Sequence, residues 1–125
     1  MEFYAETDAA GRDAAWLQQH LSLDNIPHYC AFVSEVRPRV EGGMEMASFW
    51  GVNEVRSEPI AGGVRFTLPD CPNVMSWTVT TGLDPEPDRI VIHATINRRE
   101  HDPDFIESLQ SFVDDWAAGL AGHEG

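Results

Sequence analysis

Three segments of this chain alternate apolar and polar residues with a period of two, and they follow one another through short, turn-rich links. Val64, Phe66 and Leu68 alternate in IAGGVRFTLPD. Met75, Trp77 and Val79 alternate in NVMSWTVTTGL, with Ser76, Thr78 and Thr80 between them. In RIVIHATIN, Ile90, Ile92, Ala94 and Ile96 share one face and Val91, His93, Thr95 and Asn97 the other. Side chains of a strand point alternately to opposite faces, so each segment presents one apolar face. Parallel neighbours need long crossovers, so short links predict antiparallel pairing. A sheet of this kind must bury its apolar face under another layer.

The rest of the chain supplies that layer and two more strands. HYCAFVSEV, residues 28 to 36, is β-branched and aromatic and reads as a strand. EGG at 41 to 43 reads as a turn. MEMASFWGVNEVR reads as one strand whose apolar phase slips near Gly51, which predicts a bulge there. A helix is expected over 8 to 22, capped by Thr7 or Asp8, with Ala10, Ala14, Leu17 and Leu21 on its buried face. A second helix should start at Asp102, where an N-cap acceptor precedes Pro103 and Asp104. From there Phe105, Ile106, Leu109, Phe112, Val113, Trp116 and Leu120 form one amphipathic face. The expectation is a single acidic α+β domain over residues 1–125: an N-terminal helix, a five-stranded antiparallel meander sheet and a C-terminal amphipathic helix.

The net charge of −13 comes from 21 acids against 8 bases, and every base is arginine. Such a field repels nucleic acid and anionic membrane and attracts basic proteins. Arginine-only bases also suit a bacterial, GC-rich genome, which would make the charge a trait of the host. No apolar run approaches the ~18 residues of a membrane span. MEFYAETDAAGRD has neither the basic nor the apolar region of a signal peptide, so a cytoplasmic protein with reduced thiols is expected. Cys30 and Cys71 sit in no CxxC or zinc spacing, and whether they pair is left open.

No nucleophile elbow, phosphate loop, dinucleotide fingerprint or metalloprotease motif occurs, and no cofactor is expected. His20, His28, His93, His101 and His123 never pair at ligand spacing, so no metal is expected either. A chance meeting of His20, His28 and His93 is the one arrangement that would make a metal site. His93 has no neighbour in sequence that would orient it as a general base. No catalytic residue is therefore assigned. The candidates for contacting a partner are the acidic loop residues Asp84, Glu86 and Asp88, the helix carboxylates Asp114 and Asp115, and Trp50, beside the phase slip. Trp77 and Trp116 fall on core faces, and Trp16 lies at the margin of its helix face.

TGLDPEPDRIVIHATI followed by DPDFIESLQSFVDDW, residues 80 to 118, resembles the C-terminal third of the class I chaperones of type III secretion. The shared pattern is a strand, a G-L-D-P-type turn, an aliphatic strand and an acid-capped helix. The resemblance implies a small acidic cytosolic protein that holds an unfolded segment of a secreted partner, and a homodimer. The mid-sheet helix that makes that dimer has no counterpart in residues 50 to 72, where glycines, prolines and VRFTLPD read as strand and loop.

The expected function is a non-enzymatic module that holds or neutralises a basic or partly unfolded protein, either as a secretion chaperone or as a toxin immunity protein or inhibitor. The alternative is a small-ligand-binding protein or enzyme with a pocket between helices and sheet, lined by Trp50, Tyr29 and His93. A nucleic-acid mimic is the third reading.

Overall fold

The computed structural model describes residues 1–97 and 102–122. The connection from Arg98 to His101, and His123, lie outside the described residues. The fold is α+β. Its strands are β1 (Glu2–Asp8), β2 (Val33–Pro38), β3 (Met44–Ser48), β4 (Gly51–Ile60), β5 (Gly63–Thr67), β6 (Ser76–Thr81) and β7 (Arg89–Thr95). They form one antiparallel sheet in the order β1-β7-β6-β5-β4-β3-β2. The helices are α1 (Ala14–His20), the single turn α2 (Ile26–Tyr29) and α3 (Pro103–Ala121), with a 3-10 turn at Leu23–Asn25.

Among the described residues the sheet has seven strands where five are expected from sequence. The first addition is β1. Its Phe3 faces the core while Glu2, Tyr4 and Glu6 face out. The helix expected over 8 to 22 therefore begins only at Ala14. Ala10 and Gly11 take positive φ (54° and 80°), which ends any helical path there. Asp13, not Thr7 or Asp8, is the cap, its carboxylate accepting from the Trp16 amide at 2.9 Å.

The second addition comes from Gly51. No bulge lies there. Ser48 pairs with Gly51, so Phe49 and Trp50 form a two-residue hairpin turn, and Gly51 holds the φ of 108° that closes it. The irregularity lies instead on β2, between Val33 and Glu35. The strand expected at 28 to 36 is also displaced. Pro27 sits in the first turn of α2, where its missing N–H costs nothing, and β2 starts only at Val33.

The C-terminal helix and the last strands follow the sequence pattern. Asp102 caps α3 by accepting from the Asp104 amide at 2.9 Å, and Leu109, Phe112, Val113, Trp116 and Leu120 are buried. β6 and β7 bury every second residue. α3 lies along β1 and β7, while α1 packs over β5 and β6. One core cluster joins Leu17, Leu21 and Ile26 to Phe66, Trp77 and Ile92 of the sheet and to Phe112 and Trp116 of α3.

Two features lock the helices in place. Gly119 lies so close to α2 that a Cβ there would sit 1.6 Å from the Tyr29 carbonyl oxygen. Arg12 is buried, and its guanidinium donates to the carbonyls of Ala9 (2.9 Å), Asp8 (3.2 Å) and Leu120 in the last turn of α3 (2.8 Å). A cation at the negative end of a helix dipole is favourably placed. No helix among the described residues is long and apolar enough to cross a membrane.

Candidate functional site

The β3–β4 turn delivers two aromatic side chains to opposite situations. Trp50 turns inward and packs at 5.0 Å from Phe112, 4.5 Å from Phe32 and 6.2 Å from Phe105. Its indole N–H donates to Ser108 Oγ at 2.8 Å, and Ser108 in turn donates to the Phe105 carbonyl. Phe49 turns outward and is 85% exposed, its ring 5.7 Å from that of Phe32. The exposed Phe49 and the half-buried Phe32 together form a continuous apolar surface.

That surface is the floor of a groove of about 620 Å³ between α3 and the β3–β4 turn. Ala31, Phe32 and Phe49 supply the apolar side, and Asp104, Glu107 and Asp115 line the helix side with Ser108 and Ser111. Asp115 is half-buried, and burial together with neighbouring Asp114 pushes its carboxyl above the usual range. Among the described residues no arginine lines the groove. A smaller cleft of about 230 Å³ adjoins Trp50, between Phe105 and the loop that carries Leu68, Cys71 and Met75.

The six residues singled out from sequence fall in three places. Trp50 underlies the groove and Asp115 lines it. Asp114 points away, bound to Gln110 at 3.1 Å on the side where Gln110 also donates to the Tyr4 carbonyl on the β1 edge. Asp84, Glu86 and Asp88 lie exposed in the β6–β7 loop, and Asp84 and Glu86 line a trough on the outer sheet face, opposite the helices. Phe32, Phe49, Asp104 and Glu107 were not singled out. The clue to Phe49 was the S-F-W-G run, in which a hairpin turn leaves one of two aromatics without cover.

The pocket imagined around Trp50, Tyr29 and His93 does not form. Tyr29 is buried in the helix layer, whereas His93 lies on the outer face. There His93 stacks on Tyr4 at 4.4 Å and its Nε2 is 3.1 Å from the exposed Glu2 carboxylate. His20 stacks on Trp16 on the helix side, so it does not join His93. Among the described residues no three His, Cys, Asp or Glu side chains are grouped to hold a metal ion. Cys30 and Cys71 are free thiols. Burial pushes the Cys30 thiol up to about 12.

No protein-family model matches the chain, and no curated protein matches it in sequence. Solved structures share the fold, among them two from Bacillus. An uncharacterized protein from Bacillus thuringiensis superposes with a TM-score of 0.67 at 11% identity, covering 98% of this chain and 97% of that one. The protein XoxI from Bacillus cereus superposes with a TM-score of 0.68 at 12% identity, covering 97% of this chain and 93% of its own. At that identity the likeness shows the fold alone.

Proposed function

We propose that this protein is a non-catalytic binding module whose groove between α3 and the β3–β4 turn holds a segment of a protein partner. The observation that carries this reading is Phe49, exposed over an aromatic floor and faced by Asp104, Glu107 and Asp115. An apolar floor with acids along one wall suits an apolar side chain flanked by arginine or lysine. The net charge of −13 adds long-range attraction for such a segment, which speeds encounter and is screened by salt. Escorting a partly unfolded protein and plugging a basic toxin site are both uses of this chemistry. The histidine–carboxylate pair, His93 with Glu2, lies on an open sheet face rather than in an enclosed site, which supports the non-catalytic reading.

The test is fluorescence anisotropy with a labelled peptide in which two leucines are flanked by arginines, beside a control flanked by glutamates. The arginine peptide should bind, and Phe49→Ser should weaken it about tenfold, because truncating an aromatic anchor commonly costs more than ~1 kcal/mol. Phe49 is exposed, so that variant should keep its melting temperature. Equal affinity of wild type and Phe49→Ser, or equal binding of the two peptides, would end the reading.

A second reading is favoured by a separate observation. The cleft of about 230 Å³ beside Trp50, lined by Leu68, Met75 and Phe105, has room for a small apolar molecule. Native mass spectrometry of the purified protein distinguishes the two readings: a co-purifying small molecule supports the second.

A further inference from the structure

Among the described residues no helix covers the outer face of the sheet, yet that face is not featureless. β1, β7 and β6 run side by side there with Tyr4, His93 and Thr78 in one cross-strand row and Glu6, Val91 and Thr80 in the next. Residues paired across neighbouring strands stand only ~5 Å apart at Cβ. The β6–β7 loop rises at one end of these rows, and its Leu83 leans against the β4–β5 turn, where a Cβ on Gly62 would meet Leu83 at 2.9 Å. The result is a trough of about 490 Å³. Its floor is Thr78, Thr80, Val91 and His93, its end wall the loop from Leu83 to Glu86.

Three properties of this trough select one kind of guest. Tyr4 is 54% exposed and lies flat on His93, with 1° between the ring planes, so the pair forms an exposed aromatic platform. Glu6, Asp84 and Glu86 line the trough, and among the described residues no arginine does. Glu6 is already paired with Arg89 at 3.2 Å, whereas Asp84 and Glu86 have no ion-pair partner among the described residues. A planar cation that stacks on an aromatic ring while donating sideways to carboxylates is a guanidinium.

We propose that the outer-face trough is a docking site for an arginine side chain of a partner protein, stacked on Tyr4 and held by Asp84 and Glu86. This inference rests on none of the residues of the groove at Phe49, so either can fail alone. It gives the acidic β6–β7 loop a specific task. Arginine is favoured over lysine because an ammonium offers no flat face to the platform.

The experiment uses the full chain, labelled with 15N, and three nonapeptides of glycine and serine that carry at their centre two arginines, two lysines or two citrullines. Citrulline keeps the shape of arginine without its charge. The arginine peptide should shift the amide signals of Tyr4, Thr78, Val91 and His93, and should bind several-fold more tightly than the lysine peptide. The citrulline peptide should leave them unmoved. The double variant Asp84→Asn with Glu86→Gln, checked for an unchanged melting temperature, should weaken the arginine peptide about tenfold, while Phe49→Ser should not alter it. The proposal is overturned if the shifts fall on α3 instead, if lysine and arginine peptides bind alike, or if the double variant binds as the wild type does. Should the double variant prove unstable, Tyr4→Leu tests the same platform, with the same two outcomes.

Discussion

Trp50 Nε1 donates to Ser108 Oγ over 2.8 Å, and through this bond the β3–β4 turn is fastened to the first turns of α3. The indole also fills the space bounded by Phe32, Phe105 and Phe112. Hydrogen bond and packing are separable by mutation. Trp50→Phe keeps most of the ring contact and should cost ~1 kcal/mol, the typical net worth of one hydrogen bond. Trp50→Ala also leaves a cavity and should cost ~3 kcal/mol or somewhat more. Urea unfolding of the two variants measures both terms, and equal losses would show that the bond, not the ring, holds the turn.

Gly119 makes the opposite kind of prediction. Glycine inside a helix ordinarily costs ~1 kcal/mol against alanine, so Gly119→Ala should stabilise α3 if only propensity counted. The Tyr29 carbonyl stands 1.6 Å from where the new Cβ would be, whereas at Gly122 the nearest atom is 3.7 Å away. Gly119→Ala should therefore destabilise by ~2 kcal/mol or more through overpacking, and Gly122→Ala should be tolerated. Thermal melts of the pair decide it. A Gly119→Ala protein as stable as wild type would mean that α2 and α3 do not pack this closely.

Cys30 offers a pH-dependent test. Burial, the largest cause, raises its thiol from 9.0 to about 12 in the folded chain. Below pH 9 the thiol is protonated whether the chain is folded or not, and the full stability is present. Above that, the unfolded chain ionises first and binds fewer protons. Stability then falls by at most ~1.4 kcal/mol per pH unit until the folded thiol also ionises near 12. Wild type should thus lose more stability than Cys30→Ala between pH 8.5 and 11. In the native state at pH 8 a thiol reagent should label only the half-exposed Cys71, with Cys30 reacting after denaturation. Two equivalents of rapid native labelling would contradict the burial of Cys30.

The parts of this structure that could be read from sequence are those in which local pattern and tertiary environment agree. α3 carries its cap, its proline and its apolar stripe within one continuous segment. β6 and β7 are central strands whose alternation matches their burial residue by residue. β1 was missed because EFYAETD carries three acids, poor strand formers, on an outward face that needs no apolar residue. The partner that makes it a strand, β7, lies at the far end of the sequence. The β3–β4 turn was missed because Phe49 and Trp50 are not turn residues, and Gly51 alone signalled only an interruption.

The site was legible to the same extent. Trp50 and Asp115 were marked by residue type, since a tryptophan outside any periodic face and a carboxylate on a helix are visible in one dimension. That Phe32 and Phe49 meet them is a product of the fold, joining residue 32 to the turn at 49 and the helix from 104 to 115. The acidic loop was visible as charge, but not as lying on the opposite side of the sheet from the groove.

β1 pairs along its whole length with β7, its single strand neighbour among the described residues. Some eighty residues separate β1 from the strand it joins, a long-range closure of the kind that slows folding. Until β7 has been synthesised, the first strand has no native edge to join, and its backbone is open to pairing with another nascent chain.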